Sequence, residues 1–201
     1  MSTIVFATNN ANKLRELREM LGNEYRILGL ADIGCTADIP ETADSFEGNA
    51  LLKGLYVLEH FGYACIADDS GLEVDALDGA PGIYSARYAG EGHGAAANNA
   101  KLLKELDGRT DRKARFRTAM VLVDSDGSHK TFFGTVEGSI GTEARGNAGF
   151  GYDPLFTPDG WTKTFAEAAP DEKNAVSHRG KAVRKLVEYL KSNNISSNIY
   201  D

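Results

Sequence analysis

Hydrophobic positions change their spacing repeatedly along the chain, and each change marks an element. Thr3–Ala7 is a continuous apolar run of strand length. The polar stretch Thr8-Asn9-Asn10-Ala11-Asn12-Lys13 follows, and Leu14, Leu17, Met20 and Leu21 then recur with helical period. Tyr25–Leu28 reads as a short strand. Asp44 and Glu47 resemble a capping box ahead of a helix with Phe46, Ala50, Leu51, Gly54, Leu55 and Leu58 in one stripe, ending near Gly62. Tyr63–Ile66 reads as the end of a buried strand, and Asn98–Leu106 as a short helix with Leu102, Leu103 and Leu106 inward. Phe116–Val123 and Lys130–Gly138 are strands joined by a hairpin turn at Asp124–Gly127, which makes the sheet mixed. A last helix buries Ala182, Val183, Leu186, Val187 and Leu190, and the polar chain from Asn193 onward is expected to fray.

Composition narrows the class. At 201 residues, 42% hydrophobic and 25% charged, the chain is of ordinary globular make-up. A net charge of −7 argues against a nucleic-acid backbone as the main partner, although a nucleotide needs only a local basic pocket. Arg109, Arg112, Lys113, Arg115 and Arg117 are read as a solvated loop and strand edge. Cys35 and Cys65 lack metal-type spacing and suggest buried thiols in a reducing compartment. The apolar run Ile4–Ala7 is too short for a signal peptide, and no run approaches a membrane span, so a soluble, cytoplasmic protein is expected.

The densest chemistry is Ala67-Asp68-Asp69-Ser70-Gly71-Leu72, placed where a buried strand should emerge at the sheet edge. Adjacent carboxylates on a strand point to opposite faces, so Asp68 and Asp69 cannot do the same job. Taken alone, the stretch reads first as an acidic turn capped by Gly71, and the rest of the chain reverses that order. Thr8–Lys13 has the strand–loop–helix layout of a phosphate site without P-loop glycines, or is simply an Asn-rich helix cap. Asn49 and Lys53, four apart, share a helix face that could be a solvated edge. The aperiodic Glu73–Gly94 stretch brings Tyr84, Arg87 and Tyr88 near the presumed site, while His93 is expected in solvent. Around Phe150-Gly151-Tyr152-Asp153, glycines would let backbone approach a flat ligand, with an aromatic platform and Asp153 at the rim, or the stretch is a Gly-rich loop with core aromatics. Ser177 reads as an N-cap that puts His178 and Arg179 in a first helical turn. Their charge opposes the helix dipole unless an anionic or acceptor-rich ligand offsets it.

Together these are the parts of a nucleoside triphosphate site. Lys13, Lys53 and Lys173 suit phosphates; Glu41, Asp68 and Asp69 suit a hard cation; Phe150 suits a base. The motifs Thr8-x-Asn10-x-x-Lys13, Glu41-Thr42, Asn49-Ala50-x-x-Lys53, Ala67–Leu72, Gly79-Ala80-Pro81-Gly82-x-Tyr84-Ser85-Ala86-Arg87, Phe150–Pro154 and Ser177-His178-Arg179-Gly180 occur in order. In this the chain resembles the inosine/xanthosine triphosphate pyrophosphatase family from its first strand to its last helix. Asn9, where many members have glycine, and Ala148, in a commonly glycine-rich run, depart from the pattern.

The resemblance implies one α/β domain over residues 1–201, two-lobed around a long mixed β-sheet flanked by helices. It also implies a Mg²⁺ requirement, a homodimer, and hydrolysis of purine nucleoside triphosphates (ITP, dITP, XTP) to monophosphate and pyrophosphate. On it, Asp69 is the catalytic carboxylate and a metal ligand, with Glu41 helping at the metal. Thr8, Asn9, Asn10, Ala11, Asn12, Lys13, Lys53, Ser70 and Lys173 bind substrate. Phe150, Gly151, Tyr152, Asp153, His178 and Arg179 form the base pocket. The competing readings are a sister pyrophosphatase for pyrimidine or methylated guanine nucleotides, and a nucleotide sensor without catalysis.

Overall fold

The apolar runs become the centre of a six-stranded sheet ordered β2-β1-β3-β4-β5-β6 in a computed structural model that describes residues 2–193. The tail beyond Asn193, expected to fray, lies outside the described residues. The strands are β1 (Ser2–Phe6), β2 (Tyr25–Leu28), β3 (Cys65–Val74), β4 (Lys113–Val123), β5 (His129–Ile140) and β6 (Phe156–Pro158). β1 runs parallel to β2 and β3, whereas β5 and β6 are antiparallel, so the sheet is mixed as expected. The helices are α1 (Ala11–Leu21), α2 (Phe46–Phe61), α3 (Ala95–Glu105), α4 (Pro170–Val176) and α5 (His178–Ser192). Among the described residues no helix is long and apolar enough to cross a membrane.

The chain divides into two compact units. The first holds the described residues of Met1–Asp69, Thr118–Gly134 and Arg179–Asp201; the second holds Ser70–Arg117 and Thr135–His178. In the first, strand alternation sorts side chains onto two cores. Ile4, Phe6, Ile66, Met120 and Leu122 pack with Leu17 and Leu21 of α1 and with Val183, Leu186 and Leu190 of α5. Val5, Ala7, Cys65, Ala67, Val121 and Val123 pack with Ala50 and Val57 of α2. Even and odd positions of the same strands therefore face different helices. In the second unit, Leu72 and Val74 of β3, Leu102 and Leu106 from α3 and its end, and Phe116, Phe156 and Phe165 form one core.

Several expectations change. β3 runs ten residues and stays largely buried to Val74, so the Asp68-Asp69 pair sits inside a strand and not where one emerges. Polar residues signal a strand end only when nothing compensates their burial, and here ion pairs do. α2 is capped by Ser45, whose Oγ accepts the Gly48 N–H at 3.1 Å, one residue beyond the Asp44 expected. β6 and α4 are three and seven residues long, too short to leave a period in the sequence. The basic cluster is tied into the fold. Arg112 donates to the carbonyls of Leu106, Ile140 and Gly141, Arg115 pairs with Asp75 and Glu137, and Arg117 pairs with Glu73. Both cysteines are buried, and the Asp124–Gly127 turn closes the β4–β5 hairpin as expected.

Candidate active site

Asp68 shares its parity on β3 with Ile66 and so faces α1 and α5; Asp69 shares its parity with Ala67 and faces α2. The two carboxylates have different surroundings for that reason alone. Asp68 is fully buried, with Lys13 Nζ 3.1 Å from its Oδ1 and Arg179 Nη2 3.4 Å from its Oδ2. The other end of the Arg179 guanidinium donates to the carboxylate of Glu16 on α1. Burial alone would raise the Asp68 carboxyl, but Lys13, Arg179 and Lys53 outweigh it and hold it well below the usual carboxylate range. Lys13 is pulled down by burial despite the attraction of Asp68. Asp68 is thus an anionic brace between α1 and α5.

Asp69 keeps slight solvent contact, at 6% exposure. Its Oδ2 accepts from Asn49 Nδ2 at 3.2 Å, and the same amide's Oδ1 accepts the Ala43 N–H at 2.9 Å. Lys53 pairs with Glu41. Burial pushes the Asp69 carboxyl up to about 6, against the pull of Lys53 and Lys13, and Glu41 adds to the rise. Asn49 and Lys53 are buried at 0% and 9% exposure, so the helix face they share is no solvated edge. Gly54 lets α2 come this close: a Cβ there would stand 2.5 Å from Val123 Cγ2. Asn49, which the sequence marks only as sharing a helix face with Lys53, is the side chain that holds one oxygen of Asp69.

The Thr8–Lys13 loop is both an Asn cap and a basic turn. Asn10 Oδ1 accepts the N–H groups of Asn12 and Lys13 at 3.0 and 3.2 Å, and Thr8 Oγ1 accepts that of Asn10. These donors of the first turn are engaged within the loop. Asn9 Nδ2 donates to Ala37 O at 3.2 Å. Ala11 opens α1 and is exposed.

In the second unit Asp153 organises the aromatic loop. Its Oδ2 accepts the Phe150 N–H at 2.9 Å and lies 2.7 Å from Lys173 Nζ. The Lys173 ammonium stands 4.9 Å from the centre of the half-buried Phe150 ring, a cation–π contact. Asp153, at 3% exposure, is therefore an internal brace and not a rim acceptor. Gly149, at φ +71°, makes room for it, since a Cβ there would fall 2.1 Å from Asp153 Oδ2. Tyr152 joins the core, its hydroxyl donating to Ser85 O at 2.7 Å, while the Gly151 carbonyl accepts from Asn99. His178 stacks on Phe116 with ring centroids 4.9 Å apart, and Ser70 is half-buried. His93 and Tyr84 are exposed. The charge conflict read at the start of α5 is offset for Arg179 by Glu16 and Asp68, so its explanation is internal.

A sheet of this order with these groups placed on it can be set beside known proteins. The family model of the Ham1 family matches residues 4–189. The chain belongs to the Ham1 family. It is 52% identical over 191 residues to a protein of Porphyromonas gingivalis named dITP/XTP pyrophosphatase, covering 94% of this chain and 98% of the relative. It is 50% identical over 189 residues to a Flavobacterium psychrophilum protein of the same name, covering 94% and 99%. Among solved structures, the Staphylococcus aureus Ham1 protein superposes with a TM-score of 0.86 at 40% identity, over 96% of this chain and 100% of the other. A Mycobacterium abscessus nucleoside-triphosphatase, dITP/XTP pyrophosphatase, gives a TM-score of 0.74 at 44% identity, over 92% and 98%.

In this Ham1-family chain the first unit carries the Glu41, Asp68 and Asp69 carboxylates with Lys13 and Lys53, and the second carries the aromatic loop. Among the described residues no group of three or more His, Cys, Asp or Glu stands together to hold a metal. Asp69 and Glu41 do feel each other's charge. Two hard oxygen donors suit Mg²⁺, which takes its remaining ligands from phosphate and water.

Proposed function

We propose that this Ham1-family enzyme hydrolyses non-canonical purine nucleoside triphosphates, dITP, ITP and XTP, to the monophosphate and pyrophosphate, with Asp69 as the acid–base carboxylate. The observation that carries the assignment is the split between the neighbours. Asp68 is closed off between Lys13 and Arg179, whereas Asp69 keeps slight solvent contact, has one oxygen held by Asn49 and has its carboxyl raised by burial to about 6. Asp69 takes a proton from water as the water oxygen bonds to the α-phosphorus. The bond from that phosphorus to the bridging oxygen breaks, and pyrophosphate leaves with the electron pair. Attack at the α-phosphorus rests on the family resemblance. Asn49 holds Asp69 in orientation, and Lys13 and Lys53 supply positive charge toward the phosphates. Asp69 and Glu41 would hold Mg²⁺, which when bound neutralises charge on the phosphate oxygens.

For the base, Phe150 is the stacking platform. A 6-oxopurine presents an O6 acceptor and an N1–H donor, and His178 suits O6 as a donor. Asp153 and Lys173 act by fixing the Phe150 backbone and ring, and Arg179 by holding Asp68. Adenine reverses the donor–acceptor pattern and is disfavoured. A homodimer acting on the cytoplasmic nucleotide pool follows from the same resemblance.

The test is pyrophosphate release from ITP, XTP, GTP, ATP and dTTP with Mg²⁺ and with chelator. Metal-dependent release from ITP and XTP, with little from GTP and ATP, is expected. A pyrimidine preference would place the chain with the sister enzymes. Silence on every substrate would leave a binding protein.

A further inference from the structure

The phosphate-side loop and the segment that carries Glu41 are joined by a side chain. Within Thr8–Lys13, Thr8 and Asn10 bond to the loop itself. Thr8 Oγ1 accepts the Asn10 N–H at 3.1 Å, and Asn10 Oδ1 accepts those of Asn12 and Lys13. Asn9 turns outward. Its Nδ2 donates to Ala37 O at 3.2 Å, 28 positions along the chain. A carbonyl can only accept, so the amide nitrogen must be the end that faces it.

Ala37 lies in the irregular segment 35–43, which leads through Glu41 to α2. The ends of that segment are hydrogen-bonded: Cys35 N–H to Leu30 O and Ala43 N–H to Asn49 Oδ1, both at 2.9 Å. Cys35, Ala37 and Ile39, at alternate positions, rest on the α2 core. Apolar contact is non-directional and sets which side faces inward, whereas a hydrogen bond also sets the position along the chain. Glu41 comes next in the alternation and pairs with Lys53. Resting on the reading of Glu41 as a metal ligand above, we infer that Asn9 is a positioning residue. Its amide staples the phosphate-side loop to the Glu41 segment, so that Lys13 and Glu41 meet one substrate in a fixed register. Asn9 thus acts through Glu41, in place of the substrate contact that the resemblance implies. It is also a position where this chain departs from the family pattern.

The Asn9 backbone lies outside the left-handed region, so other residues fit there without strain. Asn9→Ala removes the amide, and Asn9→Leu removes it while keeping the size; neither changes the charge. In metal-free protein, backbone NMR relaxation should give order parameters of about 0.85 for the amides of Ala37, Asp38 and Glu41 in wild type, falling toward about 0.6 in both variants. In turnover of ITP, the free Mg²⁺ concentration for half-maximal rate should rise about three- to tenfold in both, as loss of one hydrogen bond predicts. KM for ITP at saturating Mg²⁺ should stay within about twofold. Unchanged order parameters would overturn the assignment. So would an Mg²⁺ requirement left unmoved while KM rises, the mark of direct substrate contact. Wild-type enzyme runs in parallel. If it releases no pyrophosphate from ITP, or releases it without Mg²⁺, the metal reading fails and this inference with it; if it is Mg²⁺-dependent and the variants match it, this inference alone fails.

Discussion

Arg179 and Glu16, 163 positions apart in the chain, form a buried ion pair that fastens the first turn of α5 to α1. Arg179 is 1% exposed and spans from Glu16 to Asp68, so each of these charges depends on the others for compensation. Glu16→Ala leaves the guanidinium with one carboxylate in place of two. Removing one member of a buried pair costs about 3 kcal/mol or more, and urea denaturation of the variant should read a loss of that order. A loss below about 1 kcal/mol would mean that Asp68 alone balances Arg179.

The neighbouring aspartates should pull stability in opposite directions with pH. Asp69 has its folded pKa raised from 3.8 to about 6, so its favourable contribution is complete below the unfolded value and is lost as pH rises through about 6. Metal-free Asp69→Asn should therefore be more stable than wild type above about pH 6, by up to about 3 kcal/mol, with the gain vanishing near pH 4. Asp68 has its folded pKa lowered, so Asp68→Asn should be less stable at neutral pH, with the deficit shrinking as acid titrates the carboxylate. Melting curves from pH 4 to pH 8 check both signs. Parallel curves for Asp69→Asn and wild type would refute the raised Asp69.

The same Asp69→Asn change should cost turnover. Loss of an acid–base group predicts a fall in kcat of about 100-fold or more, with ITP still bound in calorimetry and the fold intact by circular dichroism. A kcat within tenfold of wild type, as an order of magnitude, would place the acid–base role elsewhere.

Phe150→Ala tests the platform. Base–aromatic stacking contributes about 1–3 kcal/mol, so KM should rise by about 5- to 150-fold for ITP and XTP alike, with a smaller effect on kcat. Steady-state kinetics showing an unchanged KM would remove the base from this ring.

Much of this was legible beforehand, and the misses have a common physical origin. The periodic apolar runs located β1, α1, α2, β4 and α5, because each buries one face against a core. The site motifs were legible because Asp69, Lys53, Phe150 and Lys173 carry side chains with distinct chemistry. Burial of polar groups was not legible. Asn49, Lys53, Asp153 and Arg179 look like surface residues in sequence, and only partners distant along the chain, such as Glu16 for Arg179, make their burial tolerable.

That Asp68 and Asp69 look to opposite faces of β3 constrains how this gene can drift. Losing a single codon upstream in the strand would put Asp69 in the place between Lys13 and Arg179 and Ser70 in the one facing α2, and gaining one would put Ala67 and Asp68 there instead. Either way one of the two carboxylate places would lose its carboxylate. Length variation within Cys65–Asp69 should therefore be absent from functional descendants, while the exposed turn at Ser125–Asp126 is where insertions can accumulate.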